Sequence, residues 1–106
     1  MNIELTKDTD KILCTLYKTY LERIKSGISK NDAIEFEESS ILQKQLFTNI
    51  SVEDLDFSLI ELYKANLIKL DITGCSMLAP SAIIYMENRF KNGLSEVIDF
   101  ISKFIP

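Results

Sequence analysis

The sequence contains no histidine and no tryptophan, and it has only three glycines, each isolated from the others. Without histidine the chain cannot form a Ser-His-Asp triad, a Cys-His pair or a histidine metal site. The scattered glycines do not make a phosphate-binding loop. Acidic pairs such as Asp8 and Asp10, or Glu53 and Asp54, have no apolar pocket evident around them that would shift a carboxyl pKa. We therefore predict that the protein is not an enzyme and uses no cofactor.

Candidate metal or redox groups are also few. Cys14 and Cys75 lack CxxC spacing, so we interpret them as two reduced, small apolar residues, with a disulfide as the alternative. Glu35, Glu37 and Glu38 form a small acidic cluster that could attract a divalent cation. Such neighbours usually form a solvated helix face, and a cation would need further ligands that the sequence does not identify. We predict no metal site.

The chain also has no long apolar run. Its first residues, MNIELTKDTDK, do not contain the apolar core of a signal peptide. No segment approaches the roughly 20 apolar residues that a membrane-spanning helix needs. The formal net charge is -4, and an acidic balance does not attract nucleic acid or anionic membranes through its overall field. These observations predict a cytoplasmic protein without a membrane partner.

What the chain does contain is a series of periodic apolar segments in 106 residues, the length of a single domain (1–106). The fold class that they predict is mainly α with a small β-hairpin. The predicted elements are a helix at 8–25, a helical turn within 28–36, helices from 39 or 40 to 47 and at 52–66, strands at 68–73 and 77–79, and helices at 82–91 and 94–105.

Local signals set the ends of several of these elements. Ser29 and Ser51 each precede an aspartate by three residues, which is typical of a capping box. We also expect Ser39 or Ser40, and later Ser81, to cap helices. Asn66 can take the left-handed conformation at a helix end, and Gly74 supplies a tight turn. The apolar residues predicted to face inward in the two middle helices are Ile41, Leu42, Leu46, Phe47, Leu55, Leu59, Ile60, Leu62 and Tyr63, whereas Phe57 lies off this stripe.

Two segments carry a resemblance to a known superfamily. Residues 62–68 (LYKANLI), a short hairpin and residues 80–87 (PSAIIYME) together resemble the bacterial winged helix-turn-helix superfamily. The resemblance covers residues 9–91, with Ile83 where the superfamily usually has glycine. It implies a winged helix-turn-helix core with an additional C-terminal helix at 94–105. The tail, residues 97–106, is similar to small proteins of Gram-positive bacteria and their mobile elements.

The superfamily resemblance implies DNA binding, with helix 52–66 in the major groove and the hairpin on phosphates. The charges of these segments oppose that function. Helix 52–66 carries four acidic residues and one lysine, and the hairpin tip, 71–76, has no lysine or arginine. DNA affinity depends largely on neutralising phosphate charge. Acidic residues at a helix N-terminus are also explained by the helix dipole, but that does not remove the cost of placing them against DNA.

Two functional hypotheses follow. The first is a non-enzymatic winged-helix regulatory module that binds a protein partner through an acidic helix face. The predicted partner-binding residues are Glu53, Asp54, Asp56 and Glu61. The alternative is a DNA-binding transcriptional regulator that acts as a homodimer. Its predicted DNA contacts are Lys64, Lys69, Arg89 and Lys91.

The first and last helices both have unusually wide apolar faces, covering arcs of roughly 200° and 160°. We predict that they form a twofold interface between two copies of the chain. The alternative is that the two helices pack on each other within one chain. The predicted interface residues are Leu13, Tyr17, Leu21, Phe100 and Phe104.

Overall fold

The structure, a computed structural model, describes residues 3–103. These residues form a mainly helical fold with a small three-stranded antiparallel sheet, in agreement with the predicted fold class. The elements in chain order are α1 (Lys7–Lys25), α2 (Lys30–Ala33), β1 (Glu35–Phe36), α3 (Ser39–Leu46), α4 (Val52–Lys64), β2 (Ile68–Leu70), β3 (Ser76–Leu78), α5 (Pro80–Arg89) and α6 (Leu94–Ser102).

Both predicted capping boxes begin helices. The hydroxyl of Ser29 accepts a hydrogen bond from the amide of Asp32 at 3.3 Å, and that of Ser51 from the amide of Asp54 at 3.1 Å. Each bond satisfies an amide that has no partner within its helix. The left-handed turn at Asn66 is also confirmed, with φ of 62°. The helix at 52–64 therefore begins and ends at positions that the sequence indicates.

Two other predicted N-caps are wrong. α3 begins at Ser39 and has Glu38 as its N-cap residue. α5 begins at Pro80, because the first position of a helix tolerates proline, which has no N–H to leave unpaired. The Ser81 hydroxyl instead donates to the carbonyl of Asn66 at 2.6 Å, and so ties α5 to the end of α4.

The sheet has the strand order β1-β3-β2, and both pairings are antiparallel. The hairpin β2–β3 is the predicted one, although its strands are shorter than expected. β1 was not predicted, because two residues are too few to show alternation. Contacts with α1 hold β1 in place: Arg23 donates to the carbonyl of Glu35 at 2.6 Å, and its guanidinium lies 4.6 Å from the centroid of the Phe36 ring.

The hydrophobic core is built around α1, which contacts α2, α4, α5 and α6. Side chains from several elements are fully excluded from solvent. The largest of them include Leu13, Leu16, Leu42, Leu55, Leu62, Leu67, Leu78, Met86 and Val97. Ile41 is a correction to the prediction, since its side chain is 40% exposed. The core thus holds α4 against α1 by one side and leaves the other side of α4 to solvent.

Candidate functional site

The inner side of α4 is fixed by three leucines. Leu55, Leu59 and Leu62 are buried, and they recur at the spacing of one helix face. This face packs against α1, α3 and β2. The opposite side of the helix therefore points into solvent, and its residues are the ones available for contact with another molecule.

The outer face of α4 combines apolar and charged side chains. We use this name for Glu53, Asp56, Phe57, Ile60, Tyr63 and Lys64, which are all exposed. Phe57 is 71% exposed, Ile60 47% and Tyr63 51%. The burial predicted for Ile60 and Tyr63 is wrong, whereas the prediction that Phe57 lies off the buried stripe is confirmed. Three large apolar side chains on one solvent-facing helix side are characteristic of an interaction surface.

The carboxylates predicted to bind a partner separate into two groups. Glu53, Asp54 and Asp56 are exposed in the first turns of α4, where the helix dipole favours negative charge. Glu61 is a correction, because its carboxylate is occupied by hydrogen bonds within the chain. It accepts hydrogen bonds from the amide and hydroxyl of Thr6 at 2.7 and 2.8 Å, and from the Thr9 hydroxyl at 3.0 Å.

These hydrogen bonds also set the ionisation of Glu61. Burial acts to raise its pKa, but the bonds from Thr6 and Thr9 together outweigh burial and lower the pKa below its ordinary value. The Thr9 hydroxyl lies 2.9 Å from that of Ser58 in the buried layer between α1 and α4. Glu61 therefore fastens the segment before α1 to α4, and only Glu53, Asp54 and Asp56 are available to a partner.

The basic residues predicted to contact DNA separate in the same way. Lys64, Lys69 and Lys91 are exposed. Arg89 is a correction: its guanidinium donates to both carboxylate oxygens of Asp10, at 2.6 and 2.9 Å. The same group lies 4.6 Å from the centroid of the Phe100 ring, so it is held on its flat face as well.

This arrangement links α5 to α1 and α6 through one side chain. The ion pair with Asp10 raises the pKa of Arg89 above its ordinary value, although burial opposes the shift. A guanidinium that is bound at its edge and stacked on its face is not available for a phosphate. Without Arg89, the predicted DNA contacts that remain exposed are the three lysines, Lys64, Lys69 and Lys91.

The predicted dimer interface is also corrected. Leu13 and Tyr17 are 0% and 2% exposed in the core of a single chain, so they cannot contact a second copy in this conformation. Leu21 and Phe100 are half-buried, and Phe104 lies outside the described residues. α1 and α6 pack on each other, which is the alternative that the sequence left open.

The remaining candidate groups are carboxylates that could bind a metal ion and the two thiols. Residues 3–103 contain no group of three Cys, Asp or Glu side chains arranged to hold a metal ion. Both cysteines are free thiols, and Cys14 is fully buried. Burial and the Asp10 carboxylate raise the pKa of Cys14 to about 12, against the opposing effect of Arg89, so this thiol is unreactive at neutral pH.

The helices of residues 3–103 are all too short or too polar to cross a membrane.

One open groove adjoins the candidate surface: it has a volume of about 500 Å³ and runs between α1, the turn after α3 and the start of α4. Phe57 lines both this groove and the outer face of α4, with Ile12, Phe47 and Ile50 beside it. The apolar surface around Phe57 thus extends beyond α4 itself.

The outer face was not predicted, because the predicted buried side of this helix includes Ile60 and Tyr63 together with the three leucines. A signal was present, since Glu53, Phe57, Ile60 and Lys64 follow one another at spacings of four, three and four residues. That spacing places them along a single line, opposite the three buried leucines.

Comparison of this chain with protein-family models, curated proteins and solved structures gives no match.

Proposed function

We propose that the protein is a winged-helix regulatory module that acts through protein–protein contacts made by the outer face of α4. The observation that carries this proposal is the exposure of Phe57, Ile60 and Tyr63 beside three carboxylates. Large aromatic side chains dominate the binding energy of protein interfaces. An isolated exposed apolar residue is ordinary, but three on one side of one helix need a partner to cover them.

The winged-helix part of the proposal is supported by chain order. The hairpin β2–β3 follows α4 directly, as the wing follows the recognition helix in the superfamily that the sequence resembles. β1 supplies a third strand on the far side of β3. We also propose that the protein is cytoplasmic, as its sequence predicts.

DNA binding is the weaker function for this surface. The helix that would enter the major groove presents Glu53, Asp54 and Asp56 at its start, where a recognition helix reads bases. These carboxylates repel phosphates, and Arg89 is held by Asp10 and Phe100. The outer face of α4 therefore favours a protein over a nucleic acid.

A shift assay with generic duplex DNA at several salt concentrations tests the choice between the two. We expect no shift even at low salt, where phosphate contacts are strongest. Binding that weakens steeply as salt rises would overturn the proposal. The matched control is Lys64→Ala with Lys69→Ala, which would reduce such a salt dependence if these lysines contacted phosphates.

Cross-linking in the producing cells tests the protein contact directly. A photo-activated residue in place of Tyr63 should yield a defined adduct with a protein. We expect the adduct to be lost on Phe57→Ala, or on Glu53→Lys plus Asp54→Lys, and kept on Ile84→Ala. Ile84 is a suitable control because it is 58% exposed but lies on α5. An adduct that survives every change on α4, or no adduct at all, would contradict the proposal.

A further inference from the structure

We propose that the partner of the outer face of α4 is a second copy of this chain, which pairs with it as an antiparallel helix. The inference rests on the function proposed above and names its partner. Four exposed residues carry it: Glu53, Phe57, Ile60 and Lys64. They form a charged–apolar–apolar–charged line along about 16 Å of helix, the length of three turns.

The spacing of these residues is that of a coiled-coil seam. Phe57 and Lys64 take the a positions of a heptad, and Glu53 and Ile60 take the d positions. In an antiparallel pair the residues at a of one helix lie against those at d of the other. Phe57 then packs on Ile60 of the second copy, and Ile60 on its Phe57. The same alignment brings Glu53 against Lys64 of the second copy at both ends.

The match between charge and register is what favours a second copy over an unrelated helix. A parallel pair would place Glu53 against Glu53 and Lys64 against Lys64, with like charges in contact. The antiparallel pair converts both contacts into attractive ones while keeping the apolar residues together. Asp56 and Tyr63 flank the seam on the same side, so the Tyr63 phenol of one copy can donate to the Asp56 carboxylate of the other.

Twofold symmetry follows from this alignment. Each copy uses the same residues on the same face, as an isologous interface requires. The contact is three helical turns long, which places it at the small end of specific interfaces. The two Glu53–Lys64 contacts also work against repulsion between chains of net charge -4. We therefore expect a reversible dimer with a dissociation constant on the order of 10–100 µM.

Sedimentation of the full chain over about 10 µM to 1 mM tests the pairing. We expect a shift from the mass of one chain to that of two as concentration rises. Phe57→Ala should raise the dissociation constant on the order of a hundredfold, because both copies lose the central aromatic side chain. Ile84→Ala removes an equally exposed apolar residue outside the seam, and it should leave the equilibrium unchanged.

Charge exchange gives the sharper test, because only this alignment predicts its outcome. Glu53→Lys and Lys64→Glu alone should each raise the dissociation constant about tenfold or more, since each creates two like-charge contacts. An equimolar mixture of these two variants should form a mixed dimer, and the double variant should pair with itself as the wild type does. Lys91→Glu is the control for a charge reversal on an exposed lysine away from α4.

The outcomes separate this inference from the function on which it rests. Single variants that pair like the wild type, or a mixture that forms no mixed dimer, would overturn the antiparallel alignment. A chain that stays single at about 1 mM while the cross-linker at Tyr63 traps a different protein would overturn self-pairing and leave the proposed function standing. If circular dichroism shows that Glu53→Lys does not fold, the Phe57→Ala variant becomes the deciding test. An unchanged dissociation constant of the dimer in Phe57→Ala then overturns the proposal.

Discussion

Two charged side chains, Glu61 and Arg89, show why residue type alone does not identify a binding group in this protein. Each lies on a helix whose other charged side chains are exposed, and each is bound by residues of another segment of the chain. A charged group with fixed partners makes stronger hydrogen bonds than a solvated one. Removal of a partner therefore lowers the stability of the folded chain. Glu61 and Arg89 are therefore structural residues.

Glu61 gives a prediction about pH. Its pKa is lower in the folded chain than its ordinary value of 4.5, so the unfolded chain binds its proton more readily. The stability that Glu61 contributes is thus complete above pH 4.5 and is lost as the pH falls through the lowered pKa. Glu61→Gln should cost about 1 kcal/mol of unfolding free energy at pH 7, and the difference from the wild type should shrink in acid.

Urea unfolding between neutral and acidic pH measures this difference. Glu37→Gln is the control, because Glu37 is an exposed carboxylate that lies outside the helices. We expect the control to follow the wild type within about 0.5 kcal/mol at every pH. A Glu61→Gln variant whose deficit stays constant into acid would show that the carboxylate charge does not stabilise the folded state.

At the scale of elements, α4 has two different sides for one physical reason. Its three leucines fill the core against α1, and this fixes the rotation of the helix about its axis. Once that rotation is fixed, Phe57, Ile60 and Lys64 must point outward whatever their polarity. The proposed interface is therefore a consequence of core packing together with the cap at Ser51, which fixes where the helix begins.

Ser51→Ala tests how much that cap contributes. The variant leaves the amide of Asp54 without its side-chain partner, so we expect a loss of about 1 kcal/mol in unfolding free energy. Ser40→Ala is the control, because Ser40 lies inside the first turn of α3. Its hydroxyl donates to the carboxylate of Glu38 and not to a backbone group. Thermal unfolding followed by circular dichroism compares the two, and equal losses would contradict a capping role for Ser51.

The sequence was informative where local chemistry decides structure and uninformative where packing decides it. Ser29, Ser51 and Asn66 act within one helical turn, so their roles could be predicted. The predicted burial of Ile60 and Tyr63 is wrong because apolar spacing cannot separate a buried side from an exposed apolar side of the same helix. Arg89 and Asp10 are 79 positions apart, and no periodicity reports a contact of that kind.

At the scale of the whole molecule, α1 is the central element and α6 completes its coverage. Val97 is fully buried, and the ring of Phe100 packs against Phe90 with 5.4 Å between centroids. α6 also supports Arg89, which bonds to α1 through Asp10. Cys14 lies on α1 in this region and is 0% exposed, so a reagent can reach its thiol only when the structure opens.

Removal of residues 94–106 should therefore destabilise a single chain and not merely alter its association. Loss of Val97 and Phe100 from the core should cost about 4 kcal/mol, which corresponds to a rise of about a thousandfold in the labelling rate of Cys14. The measurement uses a Cys75→Ser background, so that only Cys14 reacts. Val97→Ala is the milder variant and should raise the rate about thirtyfold, through the cavity that it leaves. Unchanged protection of Cys14 in both variants would mean that α6 does not stabilise the fold.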